Sequence, residues 1–186
     1  MGKIERTERA PNFHKDVKES KFAEKDFENM FYSNPKNQGK TLFDVTDVPQ
    51  YRVIDVDYII DNEGSNELGT LYDVLTNKKR YVKVEVKANG CALSTGRYAF
   101  EFNSHGKLGW GIVTQCDLIY TVLVQKNTSN IIRRAWIKMP EWKRYVTDSN
   151  NRDAMCINHI LNENVTDVLC QMSDMERKGV LKYIDK

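Results

Sequence analysis

Apolar residues recur every three or four positions over residues 13–32. Phe13, Val17, Ala23, Phe27, Met30 and Phe31 fall on one stripe among lysines and glutamates. That period predicts an amphipathic helix. Ser33-Asn34-Pro35 stops it, because the residue before a proline avoids the helical region. From residue 51 the period changes to two. Residues 52–60 alternate Ile54, Val56, Tyr58 and Ile60 against Val53, Asp55, Asp57 and Ile59, and residues 80–87 place Val82, Val84 and Val86 on one face. Both segments are expected as strands. Further strands are expected at 97–103, 117–124 and 130–138, with a short strand at 71–75 and a short helical piece within 107–116. Beyond Met139-Pro140 the helical period returns: Met155, Ile160, Leu161, Val165, Val168, Leu169 and Met172 predict helices across 151–183, broken near Gly179. The whole pattern is α/β of the mixed α+β kind: an N-terminal helix, then a mixed sheet of about five strands flanked by helices. A single domain over 1–186 is expected, with its core at about 13–138 and a helical extension at about 139–186.

Charge interrupts this pattern at two places. Sheet strands covered by helices are usually apolar on both faces. Here one apolar strand carries Asp55 and Asp57, and the other carries Lys83, Glu85 and Lys87. Residues two apart on a strand share a face, so neighbouring strands would bring two or three carboxylates and an amine to one patch. Carboxylates crowded together resist ionisation. A hard divalent cation such as Mg²⁺ relieves that conflict, needs only one or two protein carboxylates, and leaves positions for phosphate and water. Phosphodiester hydrolysis uses all of these parts. The plain alternative is a solvated strand face with cross-strand ion pairs.

The ordered set Asp57…Glu85-Val86-Lys87, each acid on its own hydrophobic strand, resembles the PD-(D/E)XK nuclease superfamily. Val56-Asp57-Tyr58-Ile59-Ile60 is similar to its first catalytic strand, and Gly96-Arg97-Tyr98-Ala99-Phe100-Glu101 to the following one in the resolvase-like and phage-type branches. Gly109-Trp110 and Gln115-Cys116-Asp117-Leu118-Ile119-Tyr120 extend the likeness, which covers residues 13–138. The resemblance implies a restriction-endonuclease-like core and a Mg²⁺- or Mn²⁺-dependent endonuclease. Asp57 and Glu85 would hold the metal, with Asp55 as the competing ligand, and Lys87 would assist catalysis. It also implies that Glu101 approaches the site and that Glu28, on the first helix, joins it. DNA rather than RNA is the expected substrate, and a symmetric homodimer stays open. Two features depart from the pattern: Val56 stands where a proline is usual, and the interval from Asp57 to Glu85 is long. A catalytically silent DNA-binding or regulatory protein of the same fold is the alternative, although such members usually lose the lysine or an acid.

Lys83, Arg97, Gln115 and Arg133 are candidate nucleic-acid contacts, as are the basic clusters Lys78-Lys79-Arg80 and Lys143-Arg144. Trp110, Trp136 and Trp142 can stack on bases, but tryptophans more often pack in cores. The net charge of +2 excludes a broadly basic, histone-like binder and leaves a local basic groove open. Cys156, His159 and Cys170 fit no common zinc spacing, and the four cysteines are expected as free thiols. Gly39-Lys40-Thr41 lacks the first glycine of a phosphate loop, since Asn34 occupies that position. No apolar run approaches the ~20 residues that span a bilayer, and the first residues carry no apolar signal core. A cytoplasmic protein without a membrane partner is the expectation.

Overall fold

The computed structural model describes residues 3–7, 13–125, 130–161 and 164–184, with side chains described from residue 21 onward. Phe13 and Val17, assigned above to the apolar stripe of the first helix, therefore lie outside the described side chains. In chain order the elements are β1 (Lys3–Thr7), α1 (Phe13–Ser33), β2 (Thr41–Asp44), α2 (Pro49–Arg52), β3 (Tyr58–Asp61), α3 (Leu71–Thr76) and β4 (Tyr81–Asn89). Then come α4 (Ala92–Thr95), β5 (Arg97–Ser104), β6 (Lys107–Leu108), α5 (Trp110–Val113), β7 (Leu118–Val124), β8 (Ile131–Lys138) and α6 (Met139–Thr147). The chain ends with β9 (Met155–Ile160), β10 (Val165–Gln171), α7 (Met172–Arg177) and β11 (Leu181–Tyr183).

The strands make two sheets, ordered β11-β8-β7-β4-β3-β2 and β1-β9-β10-β5-β6. The larger is mixed: β4 and β7 run parallel and the other pairs are antiparallel. Its two faces are covered differently. Ala23, Phe27 and Phe31, four residues apart on α1, pack on Tyr58, Val84, Val86, Tyr120 and Val122. The opposite face, with Ile59, Tyr81, Ile119 and Ile137, packs on Tyr98 and Phe100 of β5 and Val168 and Cys170 of β10. The architecture is thus a helix, a six-stranded sheet and a second sheet in layers, in the expected mixed α+β class. Asp26 fastens the helix layer: its carboxylate accepts two hydrogen bonds from Arg134, at 2.9 and 2.8 Å, and one from Tyr120 at 2.6 Å.

Three elements differ from the expectation. The segment 52–57 is not a strand. Pro49 starts a helical turn at its first position, which suits its fixed φ and missing N–H, and β3 begins only at Tyr58. Residues 71–76 are a helix rather than a strand, started by a capping box in which Thr70 and Asp73 bond each other's backbone N–H groups. In the C-terminal segment α6 and α7 are helical, but β9, β10 and β11 are strands where helices were expected across 151–183. β10 lies between β9 and β5, and the consecutive residues Asp167 and Val168 are both buried. Burial on both faces erases the alternation and leaves apolar spacings of three and four.

Candidate active site

The site sits where β3 and β4 part. Tyr58 of β3 pairs with Val84 of β4, and one residue earlier the ladder is finished by Asp57 alone. Its N–H donates to the Val84 carbonyl at 2.9 Å, and its Oδ2 accepts the Val86 N–H at 2.8 Å. A carboxylate thus replaces a strand carbonyl, which fixes Asp57 beside the β4 residues on either side of Glu85. Glu85 and Lys87 share the face of β4 that points toward the second sheet. Glu85 is 3% exposed; its Oε1 contacts the Lys87 ammonium, while its Oε2 is buried without a hydrogen-bond partner. Lys87 remains 32% exposed, with its Nζ 5.2 Å from the centre of the Trp110 ring.

Burial raises both acids, and Asp57 adds to the rise of Glu85. Glu85 is pushed up to about 7 by burial, offset by Lys87 and reinforced by Asp57 and Asp55. Asp57 is pushed up to about 6 by burial, against the Val86 N–H and Lys87, with Glu24 and Asp55 adding to the rise. Burial opposes the charge on Lys87, but Glu85, Asp57 and Asp55 together hold it above the usual ammonium range. Asp55 is raised by burial and lowered by Lys87. It lies in a turn rather than on a strand, in the left-handed region at φ 49°, so it reaches the site by a different route from the shared strand face expected of it. Thr114 Oγ1 donates to its carbonyl at 3.2 Å and the Gln115 N–H to the Ile54 carbonyl at 3.0 Å, fastening that turn to the segment before β7.

Comparison with protein-family models, curated proteins and solved structures finds no match to this chain. What the site can do rests on its own geometry.

The structure gathers Asp57, Glu85 and Lys87, with Asp55 at the margin, and sets the other candidates apart. Glu28 accepts from the Tyr58 hydroxyl at 3.3 Å and pairs with Lys25, and the α1 acid acting on Asp57 is Glu24, one helical turn earlier. Glu101 and Arg97 alternate with Tyr98 and Phe100 on β5, so they occupy the sheet face turned away from the acid pair. Lys83 is buried, with its ammonium 2.7 Å from Asp117. Arg133 is exposed on β8, its guanidinium 4.8 Å from the centre of the Tyr183 ring. Gln115 is exposed beside Lys83. Cys156 and His159 alternate on β9 and point to opposite faces, which argues against their sharing a zinc. Among the described residues no three His, Cys, Asp or Glu side chains gather into a metal cluster. The acid centre is therefore a pair, a number that suits a hard cation completing its shell with water and phosphate. Glu24 escaped the sequence reading, and Trp110 was read as a base-stacking or packing residue rather than as the ring beside the Lys87 ammonium. Glu24 is separable from Glu28 only once the rotation of α1 over the sheet is known.

Proposed function

We propose that the protein is a divalent-metal-dependent nuclease that hydrolyses phosphodiester bonds, and that DNA is its substrate. The observation that carries this reading is the Glu85 Oε2 acceptor, buried and unpartnered beside a second carboxylate, Asp57. A buried acceptor without a donor is costly, and two raised acids, one of them in contact with the Lys87 ammonium, form an anionic pocket that a cation relieves. The donor set is all oxygen, as Mg²⁺ or Mn²⁺ prefers. Asp57 and Glu85 would hold that ion, which supplies a Lewis acid and a bound water of lowered pKa.

The remaining work falls to the chain. The Val86 N–H bonds one oxygen of the Asp57 carboxylate and so fixes it against β4, on the strand that carries Glu85. Lys87 stays charged and partly exposed, so its ammonium can meet a scissile phosphate and offset charge that develops on it. Trp110 supports the ammonium from behind.

Plasmid, single-stranded, branched and RNA substrates incubated with Mg²⁺, Mn²⁺ or EDTA test the reading, alongside Asp57→Ala and Lys87→Ala. Wild type should cut DNA only with metal, and both variants should lose at least 100-fold in rate, about 2.7 kcal/mol. Equal nicking by all three proteins would remove the reading. Metal-independent binding without any cutting would replace it with a silent DNA-binding protein.

A further inference from the structure

A cavity of about 310 Å³ is lined by Lys78, Lys83, Gln115, Asp117, Pro140 and Lys143 among others, and through Lys83 it reaches β4 two residues before Glu85. We propose that this cavity is a subsite for a backbone phosphate of the nucleic-acid strand, flanking the one that is cut. The inference rests on the nuclease reading above and adds where the strand runs.

Charge balance is the first argument. The lining contains three lysines against one acid, Asp117. That acid is already engaged: its Oδ2 accepts from the Lys83 ammonium at 2.7 Å and from the Lys83 N–H at 2.9 Å. The charges of Lys78 and Lys143 are left over, and the cavity suits an anion. Lys143 is also aimed. Its Nζ donates to the Thr114 carbonyl at 3.0 Å, which anchors the head group on the loop and leaves further N–H donors. Gln115 adds a neutral side-chain amide that can donate to phosphate oxygens.

Position is the second argument. Lys83 precedes Glu85 by two residues on the same strand face, roughly 6.6 Å along β4 at about 3.3 Å per residue. That spacing is on the order of one backbone step, because the phosphates of a strand wind around the axis and lie farther apart than its rise of about 3.4 Å per nucleotide. On its other side the cavity meets the turn next to Asp57, through the Gln115 N–H bonded to the Ile54 carbonyl. A strand with one phosphate at the acids can therefore place a neighbouring phosphate between Lys78 and Lys143. The three lysines come from the segment before β4, from β4 and from α6, so only the fold brings them together.

The test is binding of fluorescein-labelled single-stranded and duplex DNA in EDTA, followed by anisotropy across a salt series. Wild type, Lys78→Ala, Lys143→Ala, their double variant and Lys143→Arg are compared, with Lys36→Ala on the exposed turn after α1 as the control. Each alanine should flatten the slope of log K against log salt by about 0.9 on duplex or about 0.7 on single strand. Lys143→Arg should keep the wild-type slope, and Lys36→Ala should leave it unchanged. A double variant that folds by circular dichroism and retains the wild-type slope overturns the subsite while leaving the nuclease reading intact. Lys78 is exposed in a turn, so Lys78→Ala alone decides the matter if the double variant misfolds. Wild type that binds no DNA at all removes the nuclease reading and the subsite with it. Calorimetric binding of inorganic phosphate, lost in the double variant with the DNA slope unchanged, would reassign the cavity to a free anion.

Discussion

Glu85 and Asp57 hold their protons in the folded protein to about pH 7 and about pH 6, while ordinary carboxyls in an unfolded chain release theirs near 4.5 and 3.8. Between pH 4 and 7 the folded state therefore binds more protons than the unfolded one, and raising the pH favours unfolding. The stability this pair contributes is fully present near pH 4 and is lost as the pH rises to about 7. Asp57→Asn/Glu85→Gln removes both titrations yet keeps an acceptor for the Val86 N–H. Without metal, melting temperatures from pH 4 to 7 should fall more steeply for wild type than for this variant. At this chain length each 1 kcal/mol moves the midpoint by roughly 2–4 °C. Parallel curves would show that the two acids are not raised. These same residues were readable from the sequence, because charge inside a β-rich apolar run is conspicuous. Lys83 was misread for the converse reason: its partner Asp117 is 34 positions away, and no local pattern reveals that the lysine is buried against it. Asp55 kept its neighbourhood but not its strand, since alternation of side chains says nothing of a left-handed turn.

Elements were legible where the apolar residues recur along one face. The four-residue spacing of Ala23, Phe27 and Phe31 located α1, and the alternating valines located β4. Short elements defined by their ends were harder: Thr70 with Asp73, and Pro49 after Val48, are start signals that a reading of hydrophobic period passes over. What orients α1 is polar. Asp26 is 14% exposed and ties the helix to β7 and β8 through Tyr120 and Arg134. Asp26→Ala leaves a part-buried guanidinium and a buried hydroxyl without that partner, and should lower unfolding free energy by about 1–3 kcal/mol in urea titration. Asp26→Asn retains an acceptor and should lose less. An alanine variant as stable as wild type would show that the apolar stripe alone seats the helix.

For the whole molecule, the order of strands in space decides which parts of the chain can stand without the others. The hydrophobic pattern separates a core at 13–138 from a helical appendage, and an appendage can be removed. In the fold β10 pairs with β5 along seven residues, and β11 pairs with β8. Val168, Cys170, Met172, Met175 and Leu181 belong to the same buried cluster as Ile59, Ile119 and Tyr98. A chain ending at residue 150 loses β9, β10, α7 and β11 together. It would expose one face of the large sheet and leave β5 with the two residues of β6 as its only paired neighbour. Buried side chains of this kind are worth about 1.5–3 kcal/mol each, while a domain's net stability is only about 5–15 kcal/mol. Losing five of them suffices to unfold the remainder. The truncated protein should show no cooperative melt and should bind the dye ANS, with amide resonances of poor dispersion. A cooperative transition within a few degrees of the full chain would mean that the first 150 residues hold the acid pair in place unaided.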